Sequence, residues 1–440
     1  MTLRDLEETT DSGAPESAPR SARVGILRPL KIRDFRLLWT GMSVSMLGDG
    51  VFWVALAWQV YELSNAPTAL SVVGLAWTAP MVLFLLGAGV VSDRIERRKV
   101  MLIGDVIRGI AVAAMGVLSL TGAIELWQLI ALAALFGVGD AFFGPAFGAI
   151  VPDIVPPELI VEANALDHFV RPVTFTMLGP ALGGISIEAF GLGQAFLLNA
   201  ATFAFSGAML LLMRARPMAK KDDITWASAR AELREGSDYV RSQPWLWATL
   251  VAAGLSLLAI IGPLEVVLPH LIKYDLGGDA ADLGLVYAMG GAGAVVAAVK
   301  LGQGLPRRYM TFMYVAWALS DFGMIIYAFA GEMWHAMAIR FVTGGAATAG
   351  LIVWGTLMHR LVPTHLLGRV SSLDWLMSIS LVPLSFALTG PVAQRIGDDA
   401  TMLWAGLLGS AVTIAFLFVP GVRATEHNRD LTSSPSILSR

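Results

Sequence analysis

The chain has 440 residues, 56% of them hydrophobic and only 15% charged, with a mean hydropathy of +0.66. Soluble domains carry nearer ~25% charged residues, so this composition excludes one and specifies a membrane protein. A net charge of −3 without a long basic tract gives no reason to expect nucleic acid as a partner, and the absence of cysteine excludes disulfides, a thiolate nucleophile and a Cys-ligated metal.

Residues 1–23 are polar and acidic and contain Pro, Ser and Gly. That fits a disordered cytoplasmic tail and not a secretory signal. Twelve apolar stretches follow, each near the ~20 residues that cross a bilayer. They lie at about 37–61, 69–92, 100–121, 126–150, 159–187, 194–213, 245–268, 280–302, 309–330, 335–359, 370–393 and 399–420. The fold class is therefore an all-α polytopic membrane protein.

An ionisable residue at mid-span costs about 2.5–3.5 kcal/mol and is a functional candidate by default. The first span carries Asp49 in LGDGVFW, ~18 Å from its start at 1.5 Å per residue. Flanking glycines admit water or another helix, so Asp49 either exchanges a proton as access switches or holds this span to a neighbour. The second span runs into GVVSDRIERRK, which puts six charges into the seven positions from Asp93 to Lys99. Asp105 and Arg108, early in the third span, read as structural. Asp140 lies deep in the fourth span, where proton relay and polar packing are both open. In the fifth, Asp167 and Arg171 stand one turn apart and can pair on one face, as a structural pair or as a gate for which Asp49 competes. Glu265, towards the outer end of the seventh, is placed to attract cations at an exit. Asp321 in the ninth and Arg340 in the tenth are further proton-relay candidates. No compact acid and histidine cluster supports a metal site. No phosphate-binding Gly-x-x-x-x-Gly-Lys-Ser/Thr supports a nucleotide or direct ATP drive, so no cofactor is expected.

One long polar interruption, 214–244, divides the spans six and six. If both termini are cytoplasmic, the inner segments hold 25 of the 31 Lys and Arg, whereas the outer loops hold only Lys273 and Arg395. This is the asymmetry that fixes topology. The halves also repeat. VPPELIVEANALDHF from Val155 aligns with VPTHLLGRVSSLDWL from Val362, and Gly179-Pro180 aligns with Gly390-Pro391, at offsets of 207 and 211. Two parallel six-helix halves around a central site are a transporter architecture. The expected organisation is a tail at 1–33, a half at 34–213, a cytoplasmic linker at 214–244, a second half at 245–421 and a cytoplasmic tail at 422–440.

Gly89-x-x-x-Asp93-Arg94-x-x-Arg97-Arg98-Lys99 resembles the loop motif between spans two and three of the major facilitator superfamily, with Glu96 where that motif has a glycine. Gly179-Pro180-x-x-Gly183-Gly184 resembles the span-five motif of superfamily antiporters. With Pro145, Val155-Pro156-Pro157, Ala163-Asn164-Ala165-Leu166 and Asn199-Ala200, the chain is similar to the twelve-span drug:proton antiporter branch that includes macrolide-efflux and enterobactin-exporter-like proteins. The resemblance implies a cytoplasmic latch between the halves, made when the cytoplasmic side is closed and broken when it opens, in which Asp93 meets the start of span eleven near Gly368–Ser371. Arg94, Arg97 and Arg98 would pair with acids at other helix ends, Asp153 being the candidate for Arg97. It also implies a close-packing hinge at Gly179, Pro180, Gly183 and Gly184.

The resulting expectation is a non-enzymatic, proton-coupled exporter of amphipathic or lipophilic small molecules, drug-, macrolide- or siderophore-like. It would act as a monomer in a bacterial-type inner membrane with both termini inside. A metabolite importer of the same fold and a non-transporting membrane sensor or partner protein are the alternatives.

Overall fold

The computed structural model describes residues 27–214, 226–302, 304 and 306–427. The expectations for most of both tails and the start of the linker fall outside the described residues. Among those described, the regular elements are helices, and twelve are long and apolar enough to cross a membrane. Spans 1 to 6 are Arg33–Leu63, Pro67–Arg94, Arg97–Leu120, Leu126–Ile154, Pro157–Phe190 and Leu192–Leu212. Spans 7 to 12 are Pro244–Asp275, Ala280–Leu301, Tyr309–Tyr327, Met333–Leu361, Thr364–Ile396 and Asp398–Leu417. Ahead of span 1 a 3-10 turn, Arg28–Lys31, buries Pro29.

Spans 7 and 11 run well past their hydropathy limits because polar residues continue the helix. Span 7 carries Glu265 and Lys273 in two π-helical segments, Pro263–Val267 and Leu271–Asp275, with His270 in the short α-helical stretch between them. Lys273 thus belongs to the helix and not to an outer loop. Span 11 starts early, with THLLGR. Prolines set the interruptions, since each lacks a donor and breaks the ladder behind it. Pro172 opens the π segment Pro172–Leu178 of span 5, and span 11 breaks at Ser380–Leu381 just before Pro383. Pro172 and Pro383 are 211 residues apart, the same offset as the Gly-Pro pairs, so both halves interrupt the corresponding helix at the same place.

Spans 1–6 pack among themselves and so do spans 7–12. The linker leaves one face of the membrane region, here the linker face. Packing between the halves is concentrated towards the opposite face. There the outer parts of spans 2 and 11 meet, as do those of spans 5 and 8. Small residues permit this. A Cβ built on Gly184 would stand 2.7 Å from Ala281 Cα, and one on Gly390 would stand 2.6 Å from Thr68 Cα. Close backbone approach of this kind is how helices associate without a hydrophobic drive between them.

The buried apolar residues repeat the pattern. One cluster near the opposite face joins both halves, from Val51 and Phe52 to Tyr287 and Phe386. Towards the linker face there are two separate clusters, one around Phe35 and Met101 and one around Leu246 and Tyr314. The halves therefore form a V that is closed at the opposite face and parts towards the linker face. The linker helix, Trp226–Ser242, packs on the start of span 11. Arg369 bonds to Glu235 at 2.5 Å and Tyr239 donates to the Leu361 carbonyl at 3.2 Å.

Candidate functional site

Span 1 passes the middle of the first half through Gly48-Asp49-Gly50. Gly50 lies so close to span 5 that a Cβ would fall 2.7 Å from Gly179 Cα, and the bare Cα of Gly48 leaves room for Asn199 and Thr202 of span 6. The glycines thus fix Asp49 where spans 5 and 6 converge, facing span 3. Span 3 supplies Arg108, 2% exposed and held between the rings of Phe143 and Phe203, 4.4 and 4.6 Å from their centroids.

Three carboxylates surround this one guanidinium. Asp105, one turn away, is tight: 2.6 Å to Arg108 Nη2, with Ser206 of span 6 donating to its other oxygen at 2.7 Å. Asp140 of span 4 at 3.4 Å and Asp49 at 3.7 Å are looser. Asp49 Oδ1 is buried with no partner in hydrogen-bonding geometry, and the Asn199 side chain is the amide beside it. Asp105 is therefore the standing counter-ion, whereas Asp49 and Asp140 share what remains of one positive charge. Asp140 is 29% exposed, so the cluster reaches the space between the halves.

A second group lies on the seam between the halves. Glu265, in the first π segment of span 7, accepts from Trp53 Nε1 of span 1 at 2.9 Å and from Tyr287 OH of span 8 at 3.2 Å. Arg340 stands over the Tyr287 ring at 5.4 Å, its Nε without a partner. Trp53, Trp77, Leu56, Leu70, Glu265 and Tyr287 line a small pocket here. A third group is Asp321, 2% exposed, whose Oδ2 accepts from Ser256 and Thr413, each at 2.9 Å. Among the described residues no cation forms an ion pair with it.

Several expectations change. Arg171 does not reach Asp49; it pairs with Asp167 at 3.3 Å and is 48% exposed, because span 5 turns that face to the gap between the halves. The cation of Asp49 is Arg108, which sequence reasoning had set aside with Asp105. The reason is depth. Helix 3 begins at Arg97, so Arg108 lies eleven residues in, or ~17 Å, and not near a surface. The i, i+3 spacing of Asp105 and Arg108 within an apolar run was the available signal.

Arg97 does bond to the Asp153 carboxylate, and to the Ala149 carbonyl at 3.0 Å. Both partners belong to the first half, so this contact does not lie between halves as expected. Arg98 binds the Met213 carbonyl at 2.5 Å and Glu96 at 3.1 Å, again within that half. Arg94 is exposed. The side chains of Gly89 and Asp93 lie outside the described residues. The start of span 11, expected to meet Asp93 when the cytoplasmic side is closed, packs here, where the halves part, against the linker helix and span 7. Gly179, Pro180, Gly183 and Gly184 are buried, contacting span 1 and, at Gly184, span 8. The helical irregularity of span 5 is the π segment immediately before them.

The family model described as a transmembrane secretion effector matches residues 24–437. The chain is similar to the multidrug efflux pump Tap of Mycolicibacterium fortuitum, 28% identical over 88% of this chain and 95% of that protein. It is also similar to macrolide efflux protein A of Streptococcus pyogenes, 19% identical over 88% and 96%. Among solved structures, a POT family transporter in complex with 5-aminolevulinic acid superposes with a TM-score of 0.70 at 14% identity, covering 88% of this chain and 96% of that one. A bacterial homologue of the iron transporter ferroportin, in an inward-facing state, gives 0.66 at 18% identity over 88% and 99%. At these identities the two structures speak for the fold alone.

Proposed function

The chain belongs to the transmembrane secretion effector family of the major facilitator superfamily, and from that premise we propose that it exports amphipathic or lipophilic small molecules against an inward flow of protons. The names of Tap and macrolide efflux protein A support drug-like cargo. The Trp53 and Trp77 rings, packed edge to face at 4.6 Å, offer such a cargo an apolar wall. The excess of Lys and Arg in the linker-face segments makes that face cytoplasmic. The conformation described is then open to the cytoplasm, and the protein acts as a monomer in the bacterial cytoplasmic membrane with both termini inside.

The observation that carries proton coupling is the imbalance at Arg108: three carboxylates, one guanidinium, and an unpartnered oxygen on Asp49. A proton arriving at Asp49 or Asp140 relieves that imbalance, and a proton leaving restores it. Alternating access follows from rocking the halves about the small-residue seam, with the prolines of spans 5 and 11 as the places where each helix yields. When the cytoplasmic face closes, the start of span 11 leaves the linker helix and meets Asp93 and Arg94.

The test is efflux of a panel of fluorescent lipophilic compounds from cells expressing wild type or Asp49→Asn, with and without a protonophore. Loss of efflux in both conditions is the expected result. Efflux indifferent to the protonophore overturns proton drive, and protonophore-sensitive efflux that survives the substitution removes Asp49 as carrier.

A further inference from the structure

At the opposite face the end of span 1 is tied to the second half of span 7. Tyr61 OH donates to the Val266 carbonyl at 2.7 Å and Tyr274 OH donates to the Tyr61 carbonyl at 3.0 Å. Lys273 reaches Glu62 at 2.5 Å and lies 4.5 Å over the Trp58 ring. His270 is the remaining tie. Its Nε2 meets the Asn65 carbonyl, in the loop between spans 1 and 2, at 2.9 Å. Its Nδ1 meets the carboxylate of Asp398 at the start of span 12.

Both neighbours of the ring are oxygens, and this fixes the proton count. A backbone carbonyl only accepts, so Nε2 carries a hydrogen. A neutral imidazole then has a bare Nδ1, which would face a carboxylate oxygen lone pair to lone pair. The contact forms only with a proton between them, whether it sits on Nδ1 or on Asp398. The closed opposite face thus holds one proton more than separated neutral His270 and ionised Asp398. Parting the halves removes the Asn65 carbonyl and with it the arrangement that orients the ring.

The acids around the pair favour its extra proton. Asp398 and Asp399 from span 12 and Asp275 from span 7 line the same recess as His270, while span 11 contributes the uncharged Ala393 and Gln394. Tyr61 meets the imidazole edge to face and Tyr274 meets it at a tilt, at 5.2 and 4.6 Å between centroids. Lys273, on the same helix, is directed to Glu62. His270 is 16% and Asp398 10% exposed, so the pair sits at the rim of the recess. Histidine is the side-chain type that changes charge between pH 5 and 8.

We propose that His270 and Asp398 form a proton-binding site at the outer gate, loaded from the external side, whose occupancy holds the outer face closed. It deepens the export reading and rests on the alternating access within it. Protonation from outside favours the state open to the cytoplasm, which is the return step an exporter needs after releasing its cargo. One linked proton changes the ratio of closed to open outer face by at most about tenfold per pH unit.

The chain has no cysteine, so spin labels attach only where cysteines are introduced. Ala123→Cys and Gly331→Cys place them on exposed outer loops of the two halves. In nanodiscs, the wild-type background is expected to shift from the short to the long inter-label distance as pH rises from 5 to 8.5. His270→Gln should remain in the wild-type alkaline distribution throughout, and His270→Lys, permanently charged, in the acid one. A wild-type distribution that does not move with pH overturns the proposal, as does a His270→Gln protein that tracks wild type. Protonophore-sensitive efflux together with a pH-independent outer distance would sink this site and leave the export reading standing. Efflux indifferent to protons with the expected distances would do the reverse.

Discussion

In the first half, Asp49, Asp105 and Asp140 converge from three spans on the guanidinium of Arg108. In the second, Asp321 lies between two hydroxyls with no cation in ion-pair contact among the described residues. The scaffolds correspond. Ser206 of span 6 donates to Asp105, and Thr413, at the matching place in span 12, donates to Asp321. What differs is the arginine. A carboxyl with two hydroxyl donors is satisfied in a neutral pocket, whereas three carboxyls sharing one guanidinium always leave charge to be neutralised. Both halves thus keep a buried carboxyl held by hydroxyl donors, and one of them gathers two more carboxyls around an arginine.

The largest expected effect comes from removing the cation. Arg108→Ala strands three buried carboxyls, and losing one partner of a buried pair costs about 3–5 kcal/mol. The measurement is thermal unfolding in detergent, where little folded protein should be recovered. Arg108→Lys should fold but export poorly, because a point charge cannot meet three acids from a flat fork. If Arg108→Ala were as stable as wild type, the two halves would not differ as described. Next comes Asp49→Asn, which keeps size and removes exchange; efflux in cells should stop while membrane insertion and monodispersity persist. Asp321→Asn should be mild, since an amide oxygen still accepts from Ser256 and Thr413. Efflux within about twofold of wild type is expected, and its abolition would move proton handling into the second half. Smallest is Thr413→Val, which deletes one hydrogen bond of about 1 kcal/mol and should lower the melting temperature slightly with transport intact.

Twelve spans, the six-and-six division and the membrane class were legible because hydropathy and helix length are set by the bilayer and not by partners. The place of Asp49 at mid-depth in span 1 was legible for the same reason. Its partner was not, because Arg108 was judged by distance from an assumed helix start three residues too late. The seam was hidden more deeply. His270 and Lys273 continue span 7 beyond its apolar run, and nothing in local sequence says that a polar stretch stays helical when a second half lies against it. His270 in particular gains meaning only from Asn65 and Asp398, more than a hundred residues away in either direction.

Span 3 also bears on how the chain enters the bilayer. Spans are delivered in order, and a lone arginine at mid-depth is among the least welcome passengers. Asp105 and Arg108 are bonded across one turn of a single helix, so this segment arrives with its charges already matched and can settle before span 4 brings Asp140. Asp49 precedes it by one helical hairpin and waits as a single charge. Damage to Arg108 should therefore be felt at biogenesis before it is felt at transport.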